Sequence, residues 1–193
     1  ITLSHVLYNS GAIMPVEEVG KIAKRQNLLY SIDAAQSVGT INVDVKKIGC
    51  DFLAFPGFKW ICGPPGIGIF YCKKESASLL TPRYIGGESA IITGEKKLVY
   101  SESPQKFQTG FRNYVGIAGL VSSLKYIQRL GVNEIRKMNM KVANEIIEEI
   151  RTIPGISIFG REDEKSRSSI VSVVLDSVSP EVMVSRLEEN GII

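Results

Sequence analysis

Short apolar runs separated by helical stretches fill the first half of this chain, and no other feature restricts its fold as strongly. Leu28–Ile32 is apolar and ends at Asp33, and Phe52–Phe55 is entered from Asp51. Gly66–Cys72 follows a Gly-Pro-Pro-Gly turn and runs out into Lys73, Lys74 and Glu75. Ile1–Leu7 reads as a further strand. Val16–Gln26 is predicted as a helix, with Pro15 before it and Glu17 and Glu18 in its first turn, where carboxylates oppose the positive end of the helix dipole. Val43–Lys47 reads as a short helical or turn segment. Short apolar strands spaced by helices are those of a sheet buried on both faces, which predicts α/β architecture.

The second half changes character. From Thr81 to Gln108 the chain is richer in glycine, charge and turn residues, and reads as a long surface excursion of the kind that often carries function. Val115–Leu130 and Val132–Ile153 are predicted as helices broken at Gly131, the second with Ile135, Met138, Val142, Ile146 and Ile150 on one face. Pro154-Gly155 ends it. Ile156–Phe159 and Ile170–Leu175 read as strands, and Pro180–Glu189 as a helix with Ser179 as N-cap and Pro180 at its first position. The change near residue 130 marks the expected domain boundary, dividing residues 1–130 from a small α+β unit over 131–193. A further strand is expected after Gly191, and the first residue is Ile1 rather than Met, so the chain reads as a piece of a larger protein. No targeting leader is visible at its start.

Composition removes whole classes of function. Lys and Arg number 23 against 20 Asp and Glu, an excess too small to point to nucleic acid or an anionic membrane. No apolar run approaches the roughly 20 residues of a membrane helix, so a cytoplasmic globular protein is expected. Cys50, Cys62 and Cys72 match no metal-ligand spacing and read as small hydrophobes in a reducing compartment. The single histidine, His5, excludes a zinc site built from several histidines of this chain. A Ser-His-Asp triad through His5 is formally open, but no nucleophile-elbow pattern accompanies it.

Two places suggest chemistry. Gly63-Pro64-Pro65-Gly66-Ile67-Gly68 looks like a phosphate cradle, yet it lacks the Lys-Ser/Thr of a P-loop and precedes a strand instead of opening a helix. Asp33-Ala34-Ala35-Gln36 lies just past a strand, where an open α/β sheet presents side chains to its ligand crevice. Lys59 follows later, between Phe58 and Trp60, and an apolar setting favours the neutral, nucleophilic amine. Pyridoxal phosphate uses both groups: a lysine forms the Schiff base, and a carboxylate keeps the pyridine nitrogen protonated. Spacing alone does not separate this pair from solvated surface charges.

The local words do. Ser4-His5-Val6, Gly11-Ala12-Ile13-Met14-Pro15-Val16, Ser31-Ile32-Asp33-Ala34-Ala35-Gln36-Ser37-Val38-Gly39, Cys50-Asp51-Phe52-Leu53-Ala54-Phe55, Gly57-Phe58-Lys59-Trp60 and Gly63-Pro64-Pro65-Gly66-Ile67-Gly68 occur in this order. Together they resemble the class V aminotransferase family, which contains cysteine desulfurases, selenocysteine lyases and related epimerases. The resemblance covers most of residues 3–130 and weakens beyond. It implies a fold-type-I pyridoxal phosphate enzyme, normally a homodimer. The chain would then hold part of a mostly parallel mixed sheet flanked by helices and part of a small α+β C-terminal domain. It further implies that Lys59 is the Schiff-base lysine and shuttles the substrate α-proton, that Asp33 pairs with the pyridine nitrogen, and that Gln36 hydrogen-bonds the phenolic oxygen. Transamination, elimination of sulfur or selenium, and racemisation of an amino acid share the same opening and are not separated.

The chain departs from the family pattern at several points. The family's Ser-x-His-Lys, whose Ser and His grip the cofactor phosphate, is matched by Pro56 and Phe58 ahead of Lys59. Its Gly-Thr-x-Asn is matched by Gly110-Phe111-Arg112-Asn113, with Phe111 at the phosphate-contacting Thr. Charge-assisted hydrogen bonds contribute roughly 1.5–3 kcal/mol each, so their loss calls for compensation, and Arg112 is expected to supply part of it across a dimer. Tyr8 stands where the family has an asparagine, with Asn9 next to it. The family's ring-stacking residue and phosphate turn are expected upstream of Ile1, and its mobile cysteine and carboxylate-binding arginine downstream of Ile193. The apolar substitutions also motivate a rival reading, a non-catalytic homologue serving as a binding or scaffold subunit. A simple phosphate-binding α/β module is a third.

Overall fold

The computed structural model describes residues 1–94 and 97–192. Its central feature is a four-stranded sheet in chain order: β1 (Thr2–Ser4), β2 (Ser31–Asp33), β3 (Phe52–Pro56) and β4 (Gly68–Cys72). The first three strands are parallel and β4 returns antiparallel to β3. Helices α1 (Val16–Arg25) and α2 (Val45–Ile48) lie between the parallel strands, as crossovers must. The α/β mixed sheet expected from the apolar runs is therefore present, though its strands are shorter than the runs themselves. In place of a strand over Ile1–Leu7, for example, β1 stops at Ser4 and Val6 makes only an isolated bridge to Ile13.

Register sorts the strand residues onto two faces. Leu3, Ile32, Leu53 and Tyr71 lie in one cross-strand row, and Ser4, Asp33, Ala54 and Phe70 in the next. The first row faces a core made with Val16, Ala23, Tyr30, Ile48 and Cys50. Tyr30 is completely enclosed there, and its hydroxyl donates to the Val16 carbonyl at 3.1 Å. A β-carbon on Gly20 would stand 1.9 Å from the Ile48 carbonyl oxygen, so α1 meets the end of α2 at a distance open only to glycine. The second row is not covered: Ala54 is exposed, and Phe70 is 58% exposed while its ring stacks on Phe52. The expectation of a sheet buried on both faces is thus corrected for the described residues. Strand apolarity reports how a face is equipped to be covered, and here one face is covered.

The excursion after Leu80 contains structure that the sequence did not suggest, the hairpin of β5 (Ala90–Ile92) and β6 (Leu98–Tyr100). Residues 95–96 of that excursion lie outside the described residues. Helices α3 (Tyr114–Leu130) and α4 (Val132–Arg151) break at Gly131, whose φ of +82° is the left-handed conformation that suits glycine. The expected apolar face of α4 is out of phase. Met140, Ala143 and Ile147 are buried, while Met138, Val142 and Ile146 face solvent. The helix carries aliphatic residues on two faces, and periodicity alone does not say which one meets the rest of the chain.

The hairpin of β7 (Ile156–Phe159) and β8 (Ser172–Leu175) and helix α5 (Pro180–Glu189) follow, the helix capped by the Ser179 hydroxyl oxygen, which accepts from the Val182 N–H. Of the strand expected after Gly191, Ile192 is described and lies in no strand, and Ile193 falls outside the described residues. The loop before β8 is stitched to the start of the chain: Ile13 N–H donates to the Ser166 carbonyl and Ser168 N–H to the Gly11 carbonyl. Arg167, 4% exposed, anchors this seam. Its Nε donates to the Glu162 carbonyl at 3.1 Å and its Nη2 to Asn144 Oδ1. Of the cysteines, only Cys50 is the buried hydrophobe expected; Cys62 is exposed and Cys72 half-buried.

Candidate active site

Because β1, β2 and β3 run parallel, their carboxyl ends share one edge of the sheet, the edge at which α/β proteins bind ligands. Asp33 ends β2 there and is exposed. Its Oδ1 accepts from the Ala35 N–H at 2.9 Å, and its Oδ2 accepts from the Ser4 hydroxyl at 3.3 Å. These bonds fix the carboxylate while leaving lone pairs on both oxygens.

Gln36 lies one turn further on, and its Oε1 accepts from the Trp60 indole N–H at 2.7 Å. An indole N–H can only donate, so the amide orientation is settled and Nε2 keeps its hydrogens for another acceptor. The same contact seats the turn that carries Lys59. That turn is closed by Cys62 N–H to the Lys59 carbonyl and by Gly63 N–H to the Gly57 carbonyl, both at 2.8 Å. From α3, the Ser123 hydroxyl donates to the Cys62 carbonyl. Gly39 has φ of +100°, and a β-carbon on it would stand 2.7 Å from the Trp60 carbonyl oxygen. The Asp33–Thr40 turn and the Lys59 turn are therefore packed backbone against backbone. Lys59 itself is exposed, and no ion pair among the described residues engages it or Asp33.

The structure thus gathers three of the four residues nominated from sequence, Asp33, Gln36 and Lys59, on two interlocked turns. An open hollow of about 400 Å³ touches Asp33, though not Gln36 or Lys59, and is lined also by Ala54, Pro56 and Phe70 among others. Arg112, expected to act across a dimer, lies apart from these three within the single chain. It lines a separate hollow of about 210 Å³, and its guanidinium donates from both Nη atoms to Glu88, with Nη1 to Oε1 at 3.0 Å. That pairing pushes the arginine's pKa further above its ordinary value. Next to it Phe111 is 99% exposed, edge-on to Tyr114.

Sequence reasoning missed Trp60 and Gly39 as the pieces that lock the two turns. The signal was available in one respect, since Trp60 adjoins Lys59, but a contact between turns distant in sequence has no local signature. His5 is buried at 6% exposure beside this edge, its backbone N–H donating to the Asp33 carbonyl. Its Nδ1 has no partner among the described residues, and burial pushes its pKa down to about 4, so the imidazole is neutral at pH 7. Tyr8, at the position of the displaced asparagine, is exposed. Among the described residues no three His, Cys, Asp or Glu side chains cluster as metal ligands, and no helix is long and apolar enough to cross a membrane.

Comparison with known proteins finds the same fold. The chain is 35% identical over 191 residues to a probable cysteine desulfurase of Methanothermobacter thermautotrophicus, covering 99% of this chain and 47% of that protein. The apo structure of a cysteine desulfurase from Thermococcus onnurineus NA1 superposes with a TM-score of 0.89 at 32% identity, over 100% of this chain and 48% of the other. A C-DES mutant with glycine covalently linked to its PLP cofactor superposes with a TM-score of 0.86 at 25% identity, over 99% of this chain and 51% of the other. The chain spans about half the length of the curated relatives it matches. The family model for class-V aminotransferases matches residues 1–193. With the family's sequence words falling on the interlocked turns at the carboxyl edge of its sheet, the chain belongs to the class-V aminotransferase family.

Proposed function

We propose that this chain carries part of a pyridoxal phosphate-dependent enzyme acting on an amino acid, of the aminotransferase or cysteine desulfurase and lyase type, with Lys59 as the residue that binds the cofactor covalently. The observation that carries the reading is the Trp60–Gln36 hydrogen bond, which seats the Lys59 turn against the Asp33 turn. The residues fit the ring of such a cofactor. The exposed Asp33 carboxylate retains lone pairs to hold a proton at a ring nitrogen, and Gln36 Nε2 retains hydrogens for a phenolic oxygen. When bound, pyridoxal phosphate supplies an electron sink that acidifies the α-carbon of an amino acid. Lys59 Nζ would hold the cofactor and, once released, take and return the α-proton as base and acid. The desulfurase names of the relatives support cysteine as the substrate.

The test uses the intact protein. It should show absorbance at roughly 410–430 nm, the band of a lysine-bound pyridoxal cofactor, and borohydride should leave a reduced adduct on Lys59. Lys59→Ala should lose both. A protein that stays colourless with added cofactor and yields no adduct would instead favour the non-catalytic, scaffold reading.

Two coarser features belong to the same proposal. Residues 1–130 would be part of a cofactor domain and 131–193 part of a small α+β domain, with Gly131 as the joint. The protein would work as a homodimer in the cytoplasm. The exposed apolar patch of Phe111, Tyr114 and Val115 supports a pairing surface.

A further inference from the structure

We infer, resting on the reading of Lys59 given above, that Trp60 is a positioning residue for Gln36. Its indole N–H holds the amide in the one orientation that leaves a donor, Nε2–H, for the ligand, and so tunes the acidity of the nitrogen that Lys59 shares with its cofactor. A glutamine amide is nearly symmetric in shape, with an acceptor at one end and a donor at the other, and its last torsion turns easily. Packing does not tell the two ends apart; a partner of fixed sign does. A hydroxyl or a water both donates and accepts, and would allow either orientation. The indole N–H only donates, and it is bonded to Gln36 Oε1 at 2.7 Å. The amide nitrogen is the end left over, and it asks for an acceptor oxygen.

The backbones that frame this bond are held by other contacts as well. The Gln36 carbonyl accepts from the Thr40 hydroxyl at 3.2 Å, and the Ala35 N–H donates to Asp33 Oδ1 at 2.9 Å. On the second turn the Cys62 N–H closes onto the Lys59 carbonyl, and the Trp60 carbonyl packs against Gly39. These contacts keep the turns together when the indole N–H alone is removed, whereas the amide then loses the partner that fixes its sense. The consequence is chemical. The phenolic oxygen of pyridoxal lies beside the lysine-bound nitrogen, shares its proton while that is present, and carries more negative charge once it has left. A donor fixed on that oxygen favours loss of the proton, so the nitrogen is more acidic with Nε2–H in place than without it.

The experiment loads the intact protein with pyridoxal 5′-phosphate, titrates it with base, and reads the midpoint at which the band at roughly 410–430 nm is lost. Parent, Trp60→Phe, Gln36→Leu and the double variant are compared. Trp60→Phe keeps an aromatic ring and removes the N–H, and Trp60 is only half-buried, so the smaller ring is accommodated. The proton affinity read from the midpoint should rise roughly three- to ten-fold in Trp60→Phe and at least as much in Gln36→Leu. The double variant should match Gln36→Leu alone, because Trp60 acts through the amide. Asp33, Lys59, Cys62 and His5, the titratable groups of the two turns and the adjoining strand ends, are the same in all four proteins. A second readout needs no cofactor: the indole N–H resonance that Trp60→Phe removes should exchange with solvent faster in Gln36→Leu than in the parent.

The inference is overturned if Trp60→Phe leaves the midpoint where the parent has it, as a role in packing alone requires. It is equally overturned if the two single effects add in the double variant, or if the indole N–H exchanges at the same rate in the parent and in Gln36→Leu. A parent protein that gains no band with added cofactor overturns the Lys59 reading along with the inference, so the two failures are distinguishable.

Discussion

At the scale of single residues, burial changes the chemistry of His5 more than that of any group on the site edge. The enclosed imidazole has its pKa pushed down to about 4, against 6.5 for a free histidine. Above pH 6.5 neither folded nor unfolded chain holds the proton, and the full stability is present. Between about pH 6.5 and 4 the unfolded chain binds a proton that the fold refuses, so stability falls as pH falls. Below about 4 this contribution is exhausted. The linkage amounts to about 3 kcal/mol. Urea midpoints measured from pH 7 to pH 4 should decline accordingly, and His5→Gln, which does not titrate, should flatten that decline. Lys59, Asp33 and Gln36 were legible from sequence because each sits in a distinctive local word. His5 was legible as a motif residue, but its neutrality was not, since desolvation belongs to what surrounds the ring.

Among the elements, the decisive unit is the pair of turns at the carboxyl edge. Gly39 is the hinge of their fit, with φ of +100° and no room for a β-carbon beside Trp60. Gly39→Ala should cost about 1–3 kcal/mol and lift Trp60 away from Gln36. Trp60 is the chain's one tryptophan, so its fluorescence should shift in the variant, and the thermal midpoint should fall. Unchanged emission would mean that the turns do not depend on that close approach. Helix α5 was readable at its start because Ser179 and Pro180 are local start signals. The face of α4 was not: Met138, Val142 and Ile146 were as good a stripe on paper as Met140, Ala143 and Ile147. Strand ends were overestimated for a related reason, because an apolar run continues past the residues that find a ladder partner.

For the whole molecule, the chain presents one finished sheet face and one open one, and it spans about half the length of its relatives. The patch at the start of α3, where Phe111 stands almost wholly in solvent and Val115 is also exposed, is the surface proposed above for pairing between two copies. Phe111→Asp in the intact protein should halve the mass measured by sedimentation, since burying a carboxylate without a partner opposes association. An unchanged mass would move the pairing surface elsewhere.

Local patterning was enough for the α/β class, the order of the elements and the family words, and it nominated Asp33, Gln36 and Lys59. These depend on local patterning and on residues that chemistry cannot replace. Packing in three dimensions settled that Arg112 pairs with Glu88 within the chain, that Trp60 locks Gln36, which face of α4 is buried and that His5 is neutral. Each of those outcomes is a contest between distant groups for the same partner or the same space, and a linear order of residues does not hold its result.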